Sequence, residues 1–124
     1  MLPKISDSEW LVLKLLWDKA PRTANEIVEA LQSKVDWNHR TIRTLLNRLS
    51  KKGAVRFTKK RREYLYYPKV IEEEYRRAER KSFLSRVYNG ALQPMLAAFL
   101  EETDLSPDEI VELEHLLKQK RKSK

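Results

Sequence analysis

The stretch Asn38 to Gly53, NHRTIRTLLNRLSKKG, constrains this chain more than any other. Ile42, Leu45, Leu46 and Leu49 recur at i, i+3, i+4 and i+7, which predicts one helix with a single apolar stripe. Arg40, Thr44, Asn47 and Lys51 fall on the opposite side, with Arg43 and Arg48 on its flanks. Asn38 is the expected N-cap, because its side-chain oxygen can accept from the free N–H groups of a first turn. Gly53 is the expected C′ residue, preceded by Lys51 and Lys52 where the helix dipole favours cations. Such a helix buries its leucines in a small domain and turns a basic, donor-rich face outward. The pattern suits a solvated surface helix as well as one that lies in a DNA groove, so its neighbours must decide.

At 124 residues the chain is one domain, or one small domain with an appendage. No apolar run approaches the ~20 residues of a membrane helix, so no membrane insertion is expected. The N-terminal MLPKISDSEW lacks the apolar segment of a secretory signal, and the expected location is cytoplasmic. The absence of cysteine excludes disulfides, zinc–thiolate clusters and thiol chemistry. The net charge of +8 is uneven. Residues 1–69 hold 16 Lys and Arg against 7 Asp and Glu, whereas residues 70–124 hold 10 against 11. A basic half joined to a balanced half predicts a polyanion-binding head on a protein-binding tail.

The segments around the central helix support that division. Ser6-Asp7-Ser8-Glu9 has the form of a capping box, and predicts a helix from about Asp7 to Lys19 whose Trp10 and Trp17 are core residues. Thr23-Ala24-Asn25-Glu26 is a second box, opening a helix to about Gln32 with Ala24, Ile27, Val28 and Leu31 as its stripe. Two short helices joined by a short connection match helix-turn-helix architecture, with Trp37 as a packing peg before the second. Residues 54–58 alternate with a period near two, and Glu63 to Tyr67 is rich in aromatic residues, which predicts a hairpin with Lys59 to Arg62 at its tip. After a basic-faced helix, that tip is expected to act as a wing that grips phosphates.

The remainder is helical. A long helix is expected from Val70 to Asn89, stopped by Asn89-Gly90, and a second runs to about Glu102 with Pro94 in its first turn. A last helix is capped at Ser106 and followed by a frayed basic tail, Lys118 to Lys124. Leu84, Val87, Tyr88, Leu96, Phe99, Ile110, Leu113 and Leu117 are expected to meet a second copy, because the head already uses its own core. The predicted fold is mainly α with a small β-hairpin: a winged helix-turn-helix head, residues 1–69, and a helical dimerisation segment, residues 70–124. No Gly-rich phosphate loop, nucleophile motif or metal-ligand cluster is present, and His39 and His115 lie far apart in sequence. No catalytic residue, metal or cofactor is therefore expected, and the chain is not read as an enzyme.

The segments SDSEWLVLKLLWDK, TANEIVEAL, DWNHRTIRTLLNRLSKKG, YLYY and LEETDLSPDEIVEL carry a resemblance that runs from about Ile5 to Leu117. The chain resembles the BlaI/MecI family of bacterial repressors, the penicillinase and methicillin-resistance repressors. The resemblance implies a homodimer that binds an inverted-repeat operator in double-stranded DNA and blocks transcription. It also implies relief by proteolysis, set off by a membrane sensor protease that cuts between an Asn and a Phe. The matching position here is Ala98-Phe99, the candidate cleavage position; the Phe is present and the Asn is not. The copper-responsive branch carries a cysteine-rich metal site, which a chain without Cys lacks. The alternative is a winged-helix regulator controlled by a small ligand or a protein partner in place of cleavage.

Within that reading, Arg40, Thr41 and Thr44 are the base-contact candidates, with Arg43 placed for either a base or a phosphate. Arginine pairs guanine bidentately and threonine methyls touch thymine. Arg48, Lys51, Lys60, Arg61 and Arg62 are the phosphate candidates, setting affinity and register without reading sequence.

Overall fold

Four helices begin where the local sequence predicts. The structure, a computed structural model, describes residues 2–123; Met1 and Lys124, the last residue of the basic tail, lie outside the described residues. Helix α1 (Asp7–Asp18) starts at Ser6, whose Oγ accepts from the Glu9 N–H at 3.2 Å while the Ser6 N–H donates to the Glu9 carboxylate at 2.9 Å. Helix α2 (Ala24–Leu31) repeats the arrangement with Thr23 and Glu26. Helix α3 (His39–Lys51) is capped by Asn38, whose Oδ1 accepts from the Thr41 N–H at 3.0 Å, and Gly53 follows its C-terminus at φ 79°. Each cap satisfies donors that a helix start otherwise leaves free.

The stripe on α3 is wholly inside: Ile42, Leu45, Leu46 and Leu49 are all buried. Burying each stabilises by ~1.5–3 kcal/mol relative to exposure. They pack with Val12, Leu13 and Leu16 of α1 and Ile27, Val28 and Leu31 of α2 in one core. Trp10 and Trp17 lean on that core as half-buried residues, edge to face at 5.4 Å, and the buried Tyr75 joins them at 5.9 and 6.1 Å. The Trp17 indole N–H donates to the Val70 carbonyl at 3.0 Å, and the Tyr75 hydroxyl to the Pro3 carbonyl at 2.7 Å. The chain divides into two compact units, one through Ala78 and one from Glu79, inside helix α4 (Glu72–Tyr88). The first unit thus reaches past the 69/70 boundary drawn from composition, because Tyr75 is a core residue of it.

Strands β1 (Val55–Lys60) and β2 (Glu63–Pro68) form an antiparallel hairpin in the register Val55↔Pro68 to Lys60↔Glu63. Its tip is shorter than expected: Lys59 and Lys60 belong to β1, and only Arg61 and Arg62 make the turn. Arg61 takes φ 60°, and a positive φ at the first central residue alone fits a type II′ turn. Arg22 adds a one-residue bridge to β2: its N–H donates to the Tyr66 carbonyl at 3.2 Å and its carbonyl accepts from the Tyr66 N–H at 2.9 Å. The Arg22 Nε donates to the carbonyls of Lys19 (2.9 Å) and Leu15 (3.2 Å), covering the end of α1.

In the second unit, the expected helix from Val70 to Asn89 is shorter, spanning Glu72–Tyr88, and Ile71 is exposed before it. Asn89 and Gly90 take φ 52° and 83°, and the Gly90 N–H donates back to the Leu84 carbonyl at 3.0 Å, closing the helix end. Helix α5 (Leu92–Glu102) lacks a side-chain cap, since Ala91 has nothing to offer. Helix α6 (Pro107–Lys122) starts with the Ser106–Glu109 box. The basic tail does not fray at Lys118; it continues α6 to Lys122, with Lys120, Arg121 and Lys122 at the negative end of the dipole. Among the described residues, none of α5 or α6 is buried, and no helix is long and apolar enough to cross a membrane.

An ion pair with a buried carboxylate joins the start of α1 to the end of α3. Glu9 is 1% exposed, and the Lys52 Nζ donates to its Oε1 at 2.6 Å and to the Lys4 carbonyl at 2.9 Å. Burial is the largest single influence on the Glu9 carboxyl and raises its pKa. The hydrogen bonds from Lys52 and Ser6 together outweigh it and hold the pKa below the ordinary 4.5. A depressed folded pKa adds stability that is complete above about 4.5 and fades as pH falls through the lowered value. Lys52→Met strands the carboxylate, with an expected loss of about 2–3 kcal/mol at neutral pH. Urea unfolding of both proteins at neutral and acid pH should show that difference shrink once the carboxyl protonates.

Candidate nucleic-acid interface

With the leucines of α3 turned inward, 3.6-residue periodicity sends its polar residues out. Arg40, Arg43, Thr44, Asn47, Arg48 and Lys51 are exposed, and Thr41 is half-buried. The Thr44 hydroxyl donates to the Arg40 carbonyl at 3.0 Å, so its methyl and lone pairs are what it has left to offer. At the hairpin end, Lys60, Arg61 and Arg62 are exposed too. Among the described residues, the ion pairs join Arg22 to Asp18, Lys52 to Glu9 and Arg76 to Glu72. None involves Arg40, Arg43, Arg48, Lys51, Lys60, Arg61 or Arg62. Unpaired cations of one sign on one small unit raise a field that attracts polyanions. Two other hairpin cations lie over rings: Arg56 is 4.0 Å from the centre of Tyr67, and Lys59 is 5.8 Å from that of Tyr64.

The outward residues of α3 do not form one set. Arg40, Thr41, Thr44 and Arg48 line a concavity shared with Ser6, Ser8 and Trp37. Arg43 and Asn47 line a different groove, walled by the first turn of α2 and by the hairpin from Arg62 to Tyr66. Arg43 thus lines a different concavity from Arg40, Thr41 and Thr44, its neighbours along the same helix. Asn25, Tyr64 and Tyr66 belong to this groove, and sequence reasoning missed them. The aromatic run YLYY was legible as a strand, but which of its rings faces α3 depends on hairpin register. Burial pushes the Tyr66 hydroxyl pKa up against the pull of the Arg43 charge, so the group stays a protonated donor at neutral pH.

In the tail, Val87, Leu96, Phe99, Ile110, Leu113 and Leu117 are exposed, while Leu84 and Tyr88 are half-buried. Phe83, which the apolar spacing did not single out, stacks on Phe99 with ring centres 6.3 Å apart. Ala98 is half-buried and Phe99 is 45% exposed, both within α5. Among the described residues, no group of three or more His, Cys, Asp and Glu side chains is placed to hold a metal ion.

These features have close counterparts. The penicillinase repressor family model matches residues 5–119. The methicillin resistance regulatory protein MecI of Staphylococcus aureus strain N315 is 39% identical over 117 residues, covering 94% of this chain and 95% of that protein. The penicillinase repressor of Bacillus licheniformis is 39% identical over 123 residues, covering 99% of this chain and 96% of that protein. Among solved structures, the monomeric form of B. licheniformis BlaI in complex with the blaP half-operator matches with a TM-score of 0.53 and 37% identity, over 60% of this chain and 92% of that one. With its winged-helix head and a family match spanning nearly its whole length, this chain belongs to the penicillinase repressor family of transcriptional repressors.

Proposed function

We propose that two copies of this chain bind an inverted-repeat operator in double-stranded DNA and repress transcription, and that cleavage in the tail relieves the repression. The observation that carries the DNA reading is α3, whose leucines are buried and whose arginines and threonines are exposed beside a basic hairpin. The relative whose structure contains a half-operator supports it. In this reading α3 enters the major groove with its N-terminal turns toward base edges. Arg40, Thr41 and Thr44 contact bases, while Arg48, Lys51, Lys60, Arg61 and Arg62 contact phosphates.

Dimerisation rests on the tail. Val87, Leu96, Phe99, Ile110, Leu113 and Leu117 leave apolar surface of the kind that a second copy covers. Pairing two heads fixes the half-site spacing and adds the base contacts that one head lacks. The proposed switch is a cut at Ala98-Phe99 by a membrane sensor protease, which removes α6 and the end of α5. The start of α5 has no side-chain cap, so its first turn frays more readily, which favours access by a protease.

Three measurements test this function. Arg40→Ala should relax preference at one base pair by ~1–3 kcal/mol in binding-site selection; equal weakening on operator and random DNA would remove its base-reading role. Arg61→Asn keeps a residue that tolerates positive φ yet deletes the charge. It should weaken binding to every duplex and lower the slope of log affinity against log salt by ~1. A fragment ending at Ala98 should sediment as a monomer and lose most operator affinity, whereas a stable dimer of that fragment refutes the cleavage switch.

A further inference from the structure

We infer that the groove between α2, α3 and the hairpin seats one phosphodiester of the bound duplex, with the Tyr66 hydroxyl donating to it from the groove's inner wall between Arg43 and Arg62. The inference rests on the DNA-binding reading above and deepens it by assigning a backbone subsite.

Tyr66 is only 9% exposed, it lines the groove, and its hydroxyl makes no hydrogen bond among the described residues. The hydroxyl is not one of the buried unpaired side-chain atoms, so it opens to solvent at the groove and is free to donate to an acceptor from outside the chain. The surroundings specify an anionic acceptor. Arg43 enters from α3 and Arg62 from the hairpin turn, both exposed and without an ion-pair partner among the described residues. The third wall is the first turn of α2. Its capping box uses the Thr23 and Glu26 N–H groups, which leaves those of Ala24 and Asn25 outside the box at the positive end of the helix. A tetrahedral phosphate accepts from several directions at once, which suits donors arriving from three elements. Glu63, also on the rim, is the one acidic side chain lining the groove. A phosphodiester, with a single negative charge, is disfavoured by it less than a dianionic phosphate. Two of the three walls, α3 and the hairpin, are also the elements proposed to touch DNA, so a strand passing from α3 to the hairpin crosses this groove.

Arg43 then contacts the backbone and does not read a base, in keeping with its lining this groove and not the concavity of Arg40, Thr41 and Thr44. The arrangement has a signature that other phosphate contacts lack. Tyr66 is neutral, so deleting its hydroxyl removes affinity without releasing fewer counterions.

The test is Tyr66→Phe in the full chain, which keeps the ring and its packing. Binding is followed by fluorescence anisotropy on a random-sequence duplex and on a duplex enriched by the wild-type protein from a randomised pool, each across a salt series. Thermal unfolding serves as the control. The expected result is about a tenfold loss on both duplexes, an unchanged salt slope and an unchanged melting temperature. Arg43→Ala should weaken both duplexes too, but lower the slope by ~1. Unaltered affinity of Tyr66→Phe overturns the subsite, as does a loss confined to the enriched duplex, which would make Tyr66 a base reader. Failure of the wild-type chain to bind any duplex overturns the DNA-binding reading itself, an outcome separable from the other two.

Discussion

Burial of one helical stripe governs the head. Ile42, Leu45, Leu46 and Leu49 have a core to enter only because α1 and α2 supply its other walls. Once they enter, helical geometry leaves Arg40, Arg43, Thr44 and Arg48 no direction but outward. The apolar contacts therefore orient the charged ones. The Glu9–Lys52 pair acts on the same elements from the rear, joining the start of α1 to the residue that ends α3. It holds the helix at the end away from its first turns, which the proposed groove contacts need free.

Electrostatics supply the second layer. Three acidic residues of the first unit are used inside it: Glu9 pairs with Lys52, Glu26 closes a capping box and Asp18 meets Arg22. The cations of α3 and the hairpin tip are left without such partners among the described residues. An uncompensated basic surface is costly to assemble and is relieved by a polyanion. The two flanks of α3 divide the labour in the proposed complex. One side carries the base-reading candidates, and the other shares a groove with the first turn of α2 and the hairpin.

The second unit has a different character. Its charge is balanced, its helices are well capped at Ser106 and closed at Gly90, and its apolar residues stay at the surface. Local signals are enough to form these helices, but among the described residues their stripes are covered only in part, as where Phe83 stacks on Phe99. In the proposed dimer that missing burial is the driving force, and cutting α5 would withdraw it. The family membership of the chain places it among repressors, and in the proposed dimer a second copy covers these faces.

Capping boxes, apolar stripes and the aromatic strand were legible residue by residue, because each is decided within about one helical turn or one strand repeat. Hence the starts of α1, α2, α3 and α6, the buried leucines of α3 and the existence of the hairpin all match the sequence reading. Contacts between distant residues carry no such signal. Lys52 and Glu9 are 43 positions apart, Tyr75 and Pro3 are 72 apart, and neither pair follows any period. The bridge from Arg22 to Tyr66, the reach of the first unit to Ala78 and the groove that Arg43 shares with α2 and the hairpin likewise appeared only once the chain was packed. Sequence alone determined which surfaces are apolar and which are basic, since periodicity sorts side chains by face. The tertiary structure decided which of those surfaces meet, because packing joins elements by shape and burial across separations that no local pattern spans.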